Sequence, residues 1–203
     1  MNRNTFYTYD INRVLQIIKE RKAKRVLLQL PNGLKQFATQ LLDELSSRLV
    51  NDVEFVIDAN HIFGPCLLNL GTTSGYDLVL HFGHEHYPYW KAPNNIVFLD
   101  LLSTLIPSND LLTDLIEKLR SCDIKNVAVY TTHQHKNVWE MVVSRLTKEG
   151  FNVVNNPNDK VIMGCWFGNA YRYINITKRR CEVHEKITNS SRNGCIINDY
   201  FIY

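Results

Sequence analysis

With 203 residues, 45% of them hydrophobic and 21% charged, the chain fits one large domain or two small ones and can build a buried core. A formal net charge of +3 is too weak to mark a nucleic-acid surface, and Lys178-Arg179-Arg180, the densest basic run, reads as a solvated turn. No apolar run approaches the roughly 18 residues needed to cross a membrane. The polar, aromatic start MNRNTFYTYD lacks the pattern of a secretion signal. The expectation is therefore a cytoplasmic protein with no membrane partner and no direct nucleic-acid binding. Five cysteines in a reducing compartment argue for thiols, some of them metal ligands, rather than for a disulfide framework.

Asp10 can cap a first helix, on which Ile11, Val14, Leu15, Ile17 and Ile18 recur at helical spacing up to about Lys22. The compact run Arg25-Val26-Leu27-Leu28-Gln29-Leu30, closed by Pro31-Asn32-Gly33, predicts a buried strand and a sharp turn. Leu34, Phe37, Ala38, Leu41, Leu42, Leu45 and Leu49 form one stripe and predict a single long helix. Val53 to Ile57 predicts a second strand. The loop HIFGPCLLN, His61 to Asn69, follows with Cys66 at its centre and a short helix from Leu67 to Leu70. Asp77 to Gly83 predicts a third strand entering a glycine turn, and Ile96 to Leu101 a fourth.

The pattern restarts after Pro107. Ser108 or Asn109 can cap a helix carrying Leu111, Leu112, Leu115, Ile116 and Leu119. Asn126 to Tyr130 predicts a strand. Val138, Trp139, Val142, Val143 and Leu146 mark a helix ending at Gly150, and Phe151 to Val154 another strand. A second glycine-cysteine loop, Met163-Gly164-Cys165, comes next. Val26 lies 40 positions before Cys66, and Val127 lies 38 before Cys165. Each interval reads strand, helix, strand, glycine, cysteine, which is the signature of a duplicated unit. The expected fold is α/β: pseudo-repeated, Rossmann-like parallel-sheet units with flanking helices, one over residues 1–105 and a second over 106–203. After Cys165 the match loosens. Asn175 to Asn193 reads as a polar loop, and Asp199 to Tyr203 as a core strand.

Side chains that carry chemistry in such sheets lie beyond the carboxyl ends of the strands. Pro31-Asn32-Gly33, His61 to Cys66, and Gly83-His84 all sit there. His81, His84 and His86 form a dense group read as site lining without direct metal coordination, with His133 and His135 in the analogous turn of the second unit. Cys122 ends a helix and reads as structural. Cys181 and Cys195 fall in the loose segment, and Cys181-x-x-His184 has a zinc-like spacing with no second pair. Neither a Walker nor a G-x-G-x-x-G phosphate signature occurs.

RVLLQLPNGL, HIFGPC, GYDLVLHFGHEHYP and KVIMGCW together resemble the diphthamide-synthesis radical enzymes, the 2-(3-amino-3-carboxypropyl)histidine synthases of archaea and eukaryotes. The resemblance spans Val26 to Trp166. It implies three pseudo-symmetric α/β domains, each giving one cysteine to a [4Fe–4S] cluster whose open iron binds S-adenosylmethionine. It further implies transfer of the aminocarboxypropyl group to a histidine of translation elongation factor 2. On that resemblance Cys66 and Cys165 are metal ligands, and Gly33, His81, Gly83 and His84 line the site. Asn32 stands where the family usually has an acidic residue. These 203 residues accommodate about two of the three units, so the expected assembly is a homodimer, or a heterodimer with a paralogue or with a chain that carries the third domain. Two other readings remain: a non-catalytic partner subunit of a longer paralogue, and a quinolinate synthase-like iron–sulfur enzyme.

Overall fold

The computed structural model describes residues 6–49, 53–62, 64–65, 68–87, 90–162, 195–197 and 200–202. It divides into two compact units, Met1–Leu102 and Ser103–Tyr203.

In the first unit, strand β1 (Tyr7–Thr8) precedes helix α1 (Ile11–Arg21). The Asp10 carboxylate accepts from Arg13 N at 3.0 Å and so satisfies one of the orphan donors at the helix start. Val14, Ile17 and Ile18 form its buried face, and Lys22 ends it in a left-handed conformation with φ of 50°. β2 (Arg25–Gln29) follows, then a 3₁₀ turn (Asn32–Phe37), α2 (Ala38–Arg48) and β3 (Glu54–Ile57). The single long helix expected from Leu34 is thus two elements. Pro31 lacks an N–H and provides no side-chain cap, so the chain enters through a tighter turn before the α-helix starts. A one-turn helix α3 (Leu70–Thr73), capped by the Asn69 side chain, leads to β4 (Leu78–Phe82), β5 (Ile96–Leu99) and β6 (Leu102–Ser103).

The main sheet runs β3-β2-β4-β5 and is parallel throughout. Because β2 and β4 are central, both faces are covered, which explains why their sequences are nearly continuous apolar runs. Val26, Leu28, Leu78, Leu80 and Phe82 pack on one face against α1 and α2 through Val14, Ile17, Ile18, Leu41 and Leu45. Burial of each such side chain stabilises the fold by about 1.5–3 kcal/mol. Leu27, Val79 and Ile96 form the other face, with Tyr76, Trp90 and Phe98 against them. Side chains alternate along a strand. Gln29 and His81 therefore continue the Leu27 and Val79 rows and end this second face with polar groups.

The second unit begins with α4 (Asn109–Ser121), capped by Ser108 Oγ accepting from Leu111 N at 3.2 Å. β7 (Asn126–Val127) and β8 (Val129–Thr132) are one strand interrupted at Ala128. A 3₁₀ turn (His133–Val138) and α5 (Trp139–Lys148) come next, with Gly150 at φ of 91° just past the helix end. β9 (Asn152–Val153) pairs parallel with β7, and β10 (Val161–Ile162) pairs parallel with β8. At the interruption, Asn155 Oδ1 accepts from Val129 N at 2.7 Å. Asn155 Nδ2 and Trp139 Nε1 both donate to Val129 O, at 2.8 and 2.7 Å. Side chains thus replace the ladder bonds lost there. Strand, six-residue 3₁₀ turn and α-helix follow one another in both units.

The second sheet departs from the all-parallel expectation. β11 (Cys195–Ile197) lies antiparallel to β8, and β12 (Tyr200–Ile202) antiparallel to β11, giving the order β10-β8-β11-β12. Two residues separate β11 from β12, whereas a parallel neighbour needs a crossover of roughly a dozen. Cys195 accordingly begins a strand instead of lying in a loop.

Candidate functional site

The strand order of the first sheet reverses beside β2. The chain leaves β2 for β3 on one side, then returns past it to β4 on the other. Crevices at such reversals, beyond the carboxyl ends, are where open parallel sheets bind ligands. Gln29 and His81 are register partners at that edge. Gln29 Oε1 lies 2.9 Å from His81 Nδ1, and His81 Nε2 lies 2.9 Å from His84 Nδ1. On the far side Gln29 Nε2 donates to Asp58 Oδ2 at 2.9 Å, and Asp58 Oδ1 accepts from the backbone N and the Nδ2 of Asn60. Gln29, Asp58 and His81 are 1%, 5% and 0% exposed, so four side chains form one polar chain mostly shielded from water.

Gly83 turns the backbone at φ of 78°, a conformation that suits glycine, and its N–H donates to Leu99 O at 2.9 Å. This turn delivers His84 back over the strand end. Aromatic rings enclose the group. Phe98 meets His81 edge-on at 5.1 Å and His86 at 5.5 Å, and His86 stacks on Trp90 at 6.1 Å.

Asn32 joins the β2 turn to the next loop. Its Oδ1 accepts from Ile62 N at 2.9 Å, which orients the amide so that Nδ2 donates to His61 Nδ1, also at 2.9 Å. Lys35 Nζ donates to the carbonyls of Ala59 and Asn60. Both contacts tie the start of the HIFGPC loop to the end of β2, and Ile62, Gly64 and Pro65 are buried.

Of the residues singled out in the sequence, His81, Gly83 and His84 come together here. Gly33 lies exposed in the 3₁₀ turn after β2, with open space where a Cβ would stand. Cys66, Cys165 and Cys181 lie outside the described residues. Cys122 caps the end of α4 and is disulfide-bonded, so it is not one of the expected thiols. In the second unit His133 is buried, and His135 Nδ1 lies 3.0 Å from Thr132 Oγ1, with burial lowering the His135 pKa. Gln29 and Asp58 went unnoticed in the sequence. The available signal was a glutamine inside an apolar strand run and an aspartate one residue past a strand end. Among the described residues, no group of three or more His, Cys, Asp or Glu side chains could hold a metal ion, and no helix is long and apolar enough to cross a membrane.

A parallel sheet whose order reverses beside a buried Gln–His pair defines an α/β protein with a candidate ligand site at its carboxyl edge. The chain belongs to the diphthamide synthesis protein family, whose model matches residues 30–192. It is 27% identical over 186 residues to subunit 1 of the 2-(3-amino-3-carboxypropyl)histidine synthase of Neurospora crassa, covering 87% of this chain and 39% of that protein. It is 24% identical to the corresponding synthase of Methanocaldococcus jannaschii, covering 79% and 46%. The structure of Dph2 from Pyrococcus horikoshii with its 4Fe-4S cluster superposes with a TM-score of 0.58 at 24% identity, over 76% of this chain and 45% of that one. A second Dph2 structure from the same organism gives 0.59 at 27% identity, over 74% and 43%. The chain spans less than half the length of these relatives.

Proposed function

We propose that this chain acts in the first step of diphthamide formation, as part of a split or multi-subunit 3-amino-3-carboxypropyl transferase in the cytoplasm. The donor is S-adenosylmethionine and the acceptor a histidine of translation elongation factor 2. The observation that carries this reading is the family match over residues 30–192, which takes in the strand-end residues His81, Gly83 and His84. Support also comes from the Neurospora relative, which is a subunit 1 by name, and from the Pyrococcus Dph2 structure, which holds a 4Fe-4S cluster.

The donor set suits such a cluster in its chemistry, since thiolates hold iron–sulfur clusters. Cys66 and Cys165 would be ligands, with the remaining thiolate coming from the same assembly. A [4Fe–4S] cluster with one iron left open, when bound, supplies the site and the electron for radical cleavage of S-adenosylmethionine. The residues of this chain would do the rest. Gly33, His81, Gly83 and His84 would line the site at the strand ends, and Asn32 and Lys35 hold the Cys66 loop against the end of β2. The net transfer replaces a ring C–H of the acceptor histidine by a C–C bond, breaks the donor's C–S bond and releases one proton. The two units being a duplication, with Cys66 and Cys165 at equivalent positions, belongs to the same reading.

Anaerobic reconstitution of the chain, alone and together with a longer member of the same family, tests it. The expected result is broad brown absorption and bound iron, both lost in Cys66→Ala. Iron content and absorption unchanged in Cys66→Ala would remove Cys66 as a ligand. Normal modification of the factor by an assembly lacking the Cys165 thiol would favour a non-catalytic partner subunit.

A further inference from the structure

Lys35 carries a charge that the fold positions and does not neutralise. It sits in the 3₁₀ turn after β2, and its side chain crosses to the segment that follows β3. There Nζ donates to Ala59 O at 2.8 Å and to Asn60 O. An ammonium has three N–H donors and no acceptor, so two are used and one remains. Both partners are neutral carbonyls. Asp58, the carboxylate adjoining them, has Oδ1 on Asn60 and Oδ2 on Gln29. Among the described residues, Lys35 enters no ion pair. Lys35 is half-buried, and withdrawing an ammonium from water without a counter-charge is costly. A surface lysine ordinarily leaves its head in solvent. Here the head is fixed at the carboxyl edge of the sheet, where open parallel sheets bind ligands.

We infer that Lys35 Nζ binds a ligand carboxylate, which takes the third N–H and supplies the missing negative charge. One remaining donor and one charge suit a monoanion. A phosphate presents more charge and more acceptor oxygens, and the chain has no Walker or G-x-G-x-x-G loop to meet them. The inference deepens the proposed transfer and rests on it for the ligand: the group to be transferred carries one carboxylate, and Lys35 holds that end of the donor. The two carbonyl bonds pin the ammonium before the ligand arrives, so little side-chain freedom is left to lose on binding. Lys35 is in this way a specificity residue, selecting donors that keep the carboxylate over those that lack it.

The test is calorimetric titration of the full 203-residue chain, alone and with a longer member of the same family, with two probes. One is S-adenosylhomocysteine. The other is its decarboxylated analogue, which keeps the nucleoside, sulfur and amine and loses only the carboxylate. The wild-type chain should bind the first about tenfold or more tighter, as a charge-assisted hydrogen bond provides. Lys35→Met should weaken S-adenosylhomocysteine by that factor and leave the analogue unchanged, while Lys35→Arg keeps the charge and should keep a preference. Where Lys35→Met does not fold, Lys35→Gln, whose neutral amide still donates, takes its place. Equal binding of the two probes by the wild type, no binding of either, equal weakening of both, or a preference that survives loss of the Lys35 charge overturns the inference. Iron content and absorption read the cluster separately. A Cys66-dependent cluster in a chain with no carboxylate preference defeats this inference and leaves the transfer reading standing. A Lys35-dependent preference in a chain that holds no cluster does the reverse.

Discussion

Gln29 and His81 stand opposite each other in the register of β2 and β4, and Gln29 Oε1 lies 2.9 Å from His81 Nδ1. Both are buried at the ends of otherwise apolar strands, and each satisfies the other. A buried polar group without a partner is costly, so neither residue is tolerable there alone. The pair extends to Asp58 on one side and His84 on the other. Fold stability and site geometry therefore depend on the same four side chains.

Removing the acceptor end of this chain should be expensive. Asp58→Ala leaves the buried Gln29 amide without the carboxylate it donates to. The expected loss is about 1–3 kcal/mol, read from urea unfolding midpoints. Glu54→Ala serves as the contrast. It removes the exposed 2.8 Å ion pair with Arg25 and should cost less than about 1 kcal/mol, because exposed pairs are screened by water. Equal effects in the two variants would contradict the account of a buried relay.

Gly83 is the backbone device that brings His84 over the strand end. Its φ of 78° lies in the region that side chains with a Cβ avoid. Gly83→Ala should destabilise the chain by about 1–2 kcal/mol in thermal or urea unfolding. A variant as stable as the parent would show that the turn does not need glycine.

At the opposite end of the sheet, Asp77 joins β4 to β2. Its Oδ2 accepts from Arg25 N at 2.8 Å and from Lys24 N at 2.9 Å, and these two backbone bonds lower its pKa below 3.8. Because the folded value is depressed, the contribution to stability is present above about pH 3.8. It is lost as pH falls below that value toward the folded pKa. Unfolding midpoints should decline across this acid range in the parent and decline less steeply in Asp77→Asn. Parallel pH profiles would show that Asp77 plays no part in the acid limb.

Much of the fold was legible in local pattern. Asp10 and Ser108 cap the helices their positions predicted, since a cap depends on a few consecutive residues. The apolar runs at Arg25 and Leu78 became the two central strands, because burial on both faces requires continuous apolar sequence. The Leu34 stripe misled, because a 3₁₀ turn and the α-helix after it bury the same side of the chain and periodicity does not separate them. The antiparallel β11–β12 pair was missed because strand direction depends on the pairing partner, which a run of apolar residues does not encode.

From sequence alone came the residue types at the strand ends, the histidine-glycine-histidine turn with His81, Gly83 and His84, and the cysteines at positions 66 and 165. Only the tertiary structure decided that Gln29, Asp58, His81 and His84 form one hydrogen-bonded chain. Gln29 and His81 are far apart in sequence, and Asp58 is on a third strand's end. What joins them is the parallel register of β3, β2 and β4, which a cooperative ladder of backbone hydrogen bonds sets and no local motif records.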